Sequence, residues 1–304
     1  MPDRLHLDRL VPHPSPAAGY DEAASRVTAQ LAQEATGHNP LCHTELLTHG
    51  QRTARAIAFI HGYTNCPMQF AALAKQFHER GYNTLSVLMP HHGLTDRLTD
   101  AHRRLTAEEL VTYVDQVVDI ARGLGEHVTL LGLSGGAVAA AWAAQTRTDL
   151  DLAVIIAPNF GFKAVPRPFT RLVTYLVLGA PDLVLWWNPL ERAAGRLPHV
   201  YPRFTLHGLA QQARLGFATT DRARQAPPAA RALLVITNAH DPAVDNVSTA
   251  QAVARWQAWG ACPVRTYEFP AELHLLHDII DPGHEGQRVD AVYPKLLELI
   301  DTGI

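Results

Sequence analysis

Short, continuously apolar segments alternate with amphipathic ones along most of this chain, and no other property limits its fold so strongly. The apolar segments are AIAFI at 56–60, NTLSVLM at 83–89, HVTLLGL at 127–133, LAVII at 152–156, RALLVIT at 231–237 and VRTYEF at 264–269, with a weaker candidate at 41–48. Strands that are apolar throughout are buried on both faces. Between them the helical spacing returns. Residues 21–36 place Ala24, Val27, Leu31 and Ala35 on one stripe, with Gly37 just beyond. A helix is expected from Pro67, with Phe70, Leu73, Ala74 and Phe77 inward and Gly81 at its end. Residues 106–122 bury Leu110, Val114, Val117, Val118 and Ala121, and Thr106 with Glu109 spells a capping box. A last helix is expected at 291–300. The implied class is α/β: a mostly parallel sheet with helices on both faces.

Two regions break the pattern. Residues 1–20 contain Pro2, Pro12, Pro14 and Pro16 and read as an irregular arm. Residues 159–230 contain eight prolines, the runs LVTYLVL and LVLWW, and no sheet-like strand. So long and apolar a stretch is not expected to be a bare loop, and it reads as an inserted helical cap. The core is then 21–158 plus 231–304. One core with an insertion accounts for 304 residues better than two domains in series.

Composition excludes several classes. Hydrophobic residues make up 47%, charged residues 18%, and the net charge is −3. That is too apolar for a disordered chain and too weakly basic for a nucleic-acid binder. The longest apolar stretch, 172–187, is shorter than a bilayer span and carries Asp182. The start has no apolar h-region, so no secretory signal is expected. Three cysteines do not make a disulfide framework, and the expectation is reduced thiols in a cytoplasmic protein. The alternative is a Cys42–Cys66 bridge, because Cys42 starts one candidate strand and Cys66 follows the next. The sequence leaves the oligomeric state open.

The chemistry begins at Gly132-Leu133-Ser134-Gly135-Gly136, a G-x-S-x-G motif in a chain with only five serines. It ends an apolar strand and opens an alanine-rich helix, the context a nucleophile elbow requires. A sharp strand-to-helix turn exposes the hydroxyl at a helix N-terminus, where developing negative charge is favoured. A tight βα turn with a capping serine is the bland reading, but no Walker-type Gly-Lys-Ser/Thr follows. A serine at this turn, in place of a carboxylate, also disfavours epoxide hydrolase and haloalkane dehalogenase chemistry.

The runs FIHGYTNCPMQF, GLSGG and TNAHDPAVD together resemble the α/β-hydrolase superfamily, in particular carboxylesterases and monoacylglycerol-lipase-like serine hydrolases. The resemblance runs from about residue 40 to near the end. Gly135 departs from it, since many relatives carry a larger residue there. It implies an acid in a D-x-x-V loop after 233–237, which Asp241 matches, with Asp245 as rival. It implies a histidine after the last strand: His277, opening HDIIDP, with His274 the alternative and His284 a further candidate. It implies an oxyanion hole from the backbone N–H groups of Gly135 and Tyr63, with Thr64 as a substitute. His61 and the His91-His92-Gly93 loop are expected to be structural, as are most of the chain's 17 histidines. The pair His274 and His277 is a weak metal motif without a third ligand at a convincing spacing.

The expected function is hydrolysis of a small-molecule carboxylic ester through an acyl-enzyme, with no cofactor or metal. Leu176, Val177, Leu178, Leu183, Val184, Leu185, Trp186 and Trp187 in the cap suggest an apolar acyl group, although most must pack the cap itself. Peptidase, amidase and acyltransferase chemistry need only the same triad. A catalytically weak hydrolase-fold binding protein is the alternative from another class.

Overall fold

Alternation along the chain becomes layering in space because each strand sends successive side chains to opposite faces. The computed structural model describes residues 5–188, 197–284 and 286–302. Its main sheet has seven strands: β1 (Glu45–Leu47), β2 (Thr53–Ile60), β3 (Asn83–Ser86), β4 (Gly125–Leu133), β5 (Leu152–Ile156), β8 (Leu233–Asn238) and β9 (Val264–Phe269). Their order is β1-β3-β2-β4-β5-β8-β9, parallel except for β1, which pairs antiparallel with β3 at one edge. Ala56, Ala58 and Ile60 enter one apolar layer with α1 (Tyr20–Glu34), α3 (Ala107–Leu124) and α4 (Gly135–Thr146). Ile57 and Phe59 enter the other, with α2 (Ala71–Glu79) and α8 (Val289–Asp301). The α/β class read from the sequence is therefore the fold observed.

Local details follow the same logic. Thr106 accepts from the Glu109 N–H at 3.1 Å while Glu109 accepts from the Thr106 N–H at 2.9 Å, the reciprocal cap that starts α3. Strand β1 covers only part of 41–48, and β3 stops short of Met89. The helix α7 (Asn246–Trp259) has no counterpart in the expected elements. Its termini carried ordinary signals, an Asp245 cap and Gly260 at φ 61°, but its apolar stripe of Ala252, Val253 and Trp256 is thin.

Between β5 and β8 the chain leaves the sheet. It forms α5 (Thr170–Gly179), a two-stranded antiparallel ribbon of β6 (Val184–Trp186) and β7 (Arg203–Thr205), and α6 (Leu206–Gln225). The ribbon corrects the expectation of a stretch without strands: three residues per strand are too few to show a period of two. The outward face of α5 leaves Leu172, Val173 and Leu176 exposed.

The proline-rich arm packs on the core. Arg147, 1% exposed, ion-pairs with Asp115, Asp119 and Asp149. The same Asp115 and Asp119 carboxylates accept the backbone N–H groups of His13 and Ser15. Arg214 and Arg222 of α6 donate to the carbonyls of Leu5 and Leu10.

Cys42 and Cys66 form a disulfide with their Cα atoms 5.3 Å apart, and Cys262 is free. This corrects the expectation of three thiols. The bridge joins the segment before β1 to the loop after β2, and both end near Leu88, which packs on the two sulfurs.

Arg147→Met should destabilise the fold by about 3–5 kcal/mol, because it strands buried carboxylates without their cation; the shift in the urea midpoint measures it. Cys66→Ser should cost about 3 kcal/mol by releasing the constraint on the unfolded chain, read as a lower midpoint under oxidising conditions and none under reduction.

Candidate active site

All the strands of the parallel body end on one edge, and that edge is where backbone strain collects. Thr64 follows β2, His91 follows β3, Ser134 follows β4 and Ala157 follows β5. All four have positive φ, between 45° and 66°. Such positions cost roughly 1–3 kcal/mol each in a non-glycine residue and persist only where the surroundings enforce them. At Ser134 the enforcement is visible. A β-carbon on Gly132 would run into the Gly136 carbonyl, and one on Gly136 into the Ile60 carbonyl of β2. Both glycines are needed so that three backbones can meet beneath the serine.

Three side chains converge there. His277 Nε2 lies 2.8 Å from Ser134 Oγ, and His277 Nδ1 lies 2.8 Å from Asp241 Oδ2. Asp241 is fully buried. Its other oxygen accepts the N–H groups of Ala243 at 2.8 Å and Val244 at 3.1 Å. Burial alone would raise its pKa, but the hydrogen bond and charge of His277 and these two amides hold it below the ordinary value.

The rival residues are elsewhere. Asp245 caps α7, accepting from the Val247 N–H and the Ser248 hydroxyl. His274 sits in a left-handed turn, exposed, edge-on to His240. His284 lies at the cavity wall and pairs with Asp278 at 3.3 Å. His61 is structural: its Nδ1–H donates to the Gly62 carbonyl and its Nε2 accepts from the Met89 N–H. His91 pairs with Glu109, and His92 is buried against His61, Tyr63 and Tyr201.

The loop carrying Tyr63 is held from two sides. Gly62 N–H donates to Gln69 Oε1 at 2.8 Å, and Gln69 Nε2 donates to Asp278 Oδ2 at 2.6 Å. Asp278 Oδ1 also accepts the N–H groups of Ile280 and Asp281, both at 3.0 Å. From the other side, Trp187 Nε1 donates to Thr64 Oγ1 at 2.9 Å, and the Tyr63 hydroxyl meets Thr205 at 3.0 Å. Gly135 is the first residue of α4, where an amide has no partner within its own helix.

Asp278, Asp281 and His284 are the cluster among the described residues whose geometry suits a metal. Each is already engaged, Asp281 with His199 at 2.7 Å. Burial opposes charge on Asp278 and His284. Their mutual attraction wins, lowering the pKa of the first and raising that of the second.

A cavity of about 660 Å³ opens over Ser134 and His277. Phe162, Trp186, Trp187 and Leu209 line it from the inserted segment; Val244 and Leu276 line it from the core loops. Of the eight cap residues expected to be apolar contacts, only Trp186 and Trp187 reach it, while Leu176, Leu183 and Leu185 face outward. Gln69, Asp278, Asn159 and Gln212 were not expected in the site. Gln69 and Asp278 lie beside recognisable motifs, but nothing in the local pattern distinguishes Gln212 from other polar residues of its helix.

With this geometry in hand, a match of residues 51–262 to the model of the serine aminopeptidase S33 family is decisive. The chain belongs to that family. Its fold is similar to that of a monoacylglycerol lipase from Paleococcus ferrophilus (16% identity, 86% of this chain and 99% of that one, TM-score 0.62). It is also similar to the metagenome-derived lipolytic enzymes LipS and LipT (15%, 86% and 98%, 0.61). A third similar structure is Est1E from Butyrivibrio proteoclasticus with bound ferulic acid (18%, 85% and 95%, 0.56). No curated protein matches the sequence. At these identities the likeness is one of fold.

Burial holds His61 and His102 neutral, with pKa values lowered to about 4, and keeps His92 well below its ordinary value. Unfolded, they titrate near 6.5. Between those values the unfolded state binds more protons, so stability should fall as pH drops from about 6.5 towards 4. Asp241 and Asp278, both lowered, add to the fall at the acid end of that window, where their unfolded carboxyls begin to protonate. Neither ring nitrogen of His102 has a hydrogen-bond partner among the described residues. His102→Leu should therefore flatten the slope of Tm against pH by about one proton, measured by differential scanning fluorimetry; an unchanged slope would exclude His102 as a source.

Proposed function

We propose that the chain hydrolyses carboxylic esters with Ser134 as nucleophile, His277 as general base and acid, and Asp241 as the residue that orients the imidazole. The observation that carries this reading is the continuous line from Ser134 Oγ through His277 to Asp241, two links of 2.8 Å. Because Nδ1–H donates to Asp241, Nε2 is free to take the serine proton. Ser134 attacks the ester carbonyl, and the Tyr63 and Gly135 N–H groups receive the oxyanion. His277 then protonates the departing alcohol. A water deprotonated by the same histidine releases the acid. No step calls on a cofactor or metal.

Residues 159–230 act in this reading as a cap over residues 21–158 and 231–304. The apolar cavity wall supports an apolar acyl chain. The substrate is a small molecule rather than nucleic acid, and no described helix is long and apolar enough to cross a membrane. A cytoplasmic location is part of the proposal, and alkylation of freshly lysed cells with and without reductant reads whether the Cys42–Cys66 bridge is formed there.

The family's description keeps an aminopeptidase reading in play. An α-ammonium group needs an uncommitted carboxylate. Among the described residues lining the cavity, the carboxylate is Asp278, already held by Gln69, His284 and two backbone amides. That favours esters.

A fluorophosphonate probe should label Ser134, and Ser134→Ala should abolish both labelling and turnover of p-nitrophenyl esters. Asp241→Asn should lower kcat about 10⁴-fold by stabilising the wrong tautomer. Octanoyl and butyryl esters should exceed acetyl in kcat/KM, and all should exceed aminoacyl aryl amides. A label elsewhere, or full turnover by Ser134→Ala, would overturn the assignment.

A further inference from the structure

Gln212 of α6 is 1% exposed, and neither the oxygen nor the nitrogen of its carboxamide has a hydrogen-bond partner among the described residues. It lines the cavity over Ser134. Asn159 lines the same cavity, 4% exposed, with its side-chain oxygen likewise unpartnered. Buried polar groups are almost always paired, so two such carboxamides at one site call for an explanation. Gln69 in the same cavity, by contrast, uses both ends of its side chain on protein partners.

The position of Gln212 narrows the explanation. A β-carbon on Gly135 would collide with the Gln212 amide. The small residue after the nucleophile, unusual for the resemblance, thus leaves room for a glutamine delivered by α6, which packs against α4. Gly135 also supplies one of the proposed oxyanion N–H groups. A group beside it faces the first few atoms of a bound acyl chain, next to the scissile carbonyl. A carboxamide offers one acceptor and two donors at this spot. A hydroxyl, which both donates and accepts, matches it.

We infer that Gln212 forms a polar subsite that selects esters whose acyl group carries a hydroxyl on C2 or C3, with an apolar chain beyond. Asn159 adds an acceptor to the same subsite. The inference rests on the ester-hydrolase reading. It deepens that reading by placing a polar anchor at the root of an otherwise apolar acyl pocket. A site built to hydrogen-bond a substrate group discriminates against the analogue that lacks it, because its own polar atoms then stay unpaired.

The test compares methyl 3-hydroxyoctanoate with methyl octanoate, using the full-length protein and a pH-stat. Wild type should favour the hydroxy ester at least tenfold in kcat/KM, and Gln212→Met should bring the ratio near one. The melting temperature of Gln212→Met should equal or exceed that of wild type, since the variant removes an amide the protein leaves unpaired. A wild-type ratio near one, an unchanged ratio in the variant, or a fall of several degrees in Tm would overturn the inference. If neither ester is turned over and Ser134→Ala equals wild type, the hydrolase reading fails by itself. Calorimetric binding of 3-hydroxyoctanoate against octanoate then decides the subsite: tighter binding of the hydroxy acid, lost in Gln212→Met, supports it, and equal binding refutes it.

Discussion

Everything at the catalytic edge depends on the backbone contact beneath Ser134. Strand β4 must stop, α4 must start, and β2 must pass within contact distance, all within five residues. Only hydrogen atoms at 132 and 136 permit this. The contact holds a serine at φ 58° and ψ −114°, a conformation it would not choose. The parallel sheet supplies the rigidity that keeps the strain from relaxing: β4 is paired along its length with β2 and β5. Core, elbow and Ser134 are therefore one mechanical unit.

The other parts of the site are suspended from that unit by polar chains. Asp278 follows His277 in sequence and holds Gln69, which holds Gly62. The proposed base and the loop of Tyr63 thus share an anchor. On the opposite side, Trp187 and Thr205 hold Thr64 and Tyr63. The Tyr63 loop is bound both to the sheet edge and to the segment that covers it.

How much of this was legible in the sequence depends on the range of the forces involved. The long strands and amphipathic helices were readable because burial imposes a period on local sequence. The elbow was readable because its steric demand falls on three residues spaced by two. Asp241 and His277 were preferred from their order and their neighbours, with Asp245 and His274 left as rivals, and the fold places the preferred pair in line with Ser134. Asp245 has the local role of a helix cap, and His274 that of a turn. Gln212 was not readable, because its partner in space, Gly135, is far away in the chain. The same holds for the ribbon of β6 and β7, too short to show periodicity; the Cys42–Cys66 bridge was open as an alternative, because both cysteines flank neighbouring strand segments, but only the meeting of the two loops decides it.

The arm at the start of the chain has an implication for the order of events during folding. Its backbone is pinned by Asp115 and Asp119, by Arg26, and by Arg214 and Arg222. Several of these partners lie more than 100 residues downstream, and those on α6 more than 200. Residues synthesised early must therefore wait for residues synthesised late, and loop closure over such separations is slow relative to local helix formation. The native contacts of the arm at Leu5 and Leu10 can therefore form only once α6 has been made.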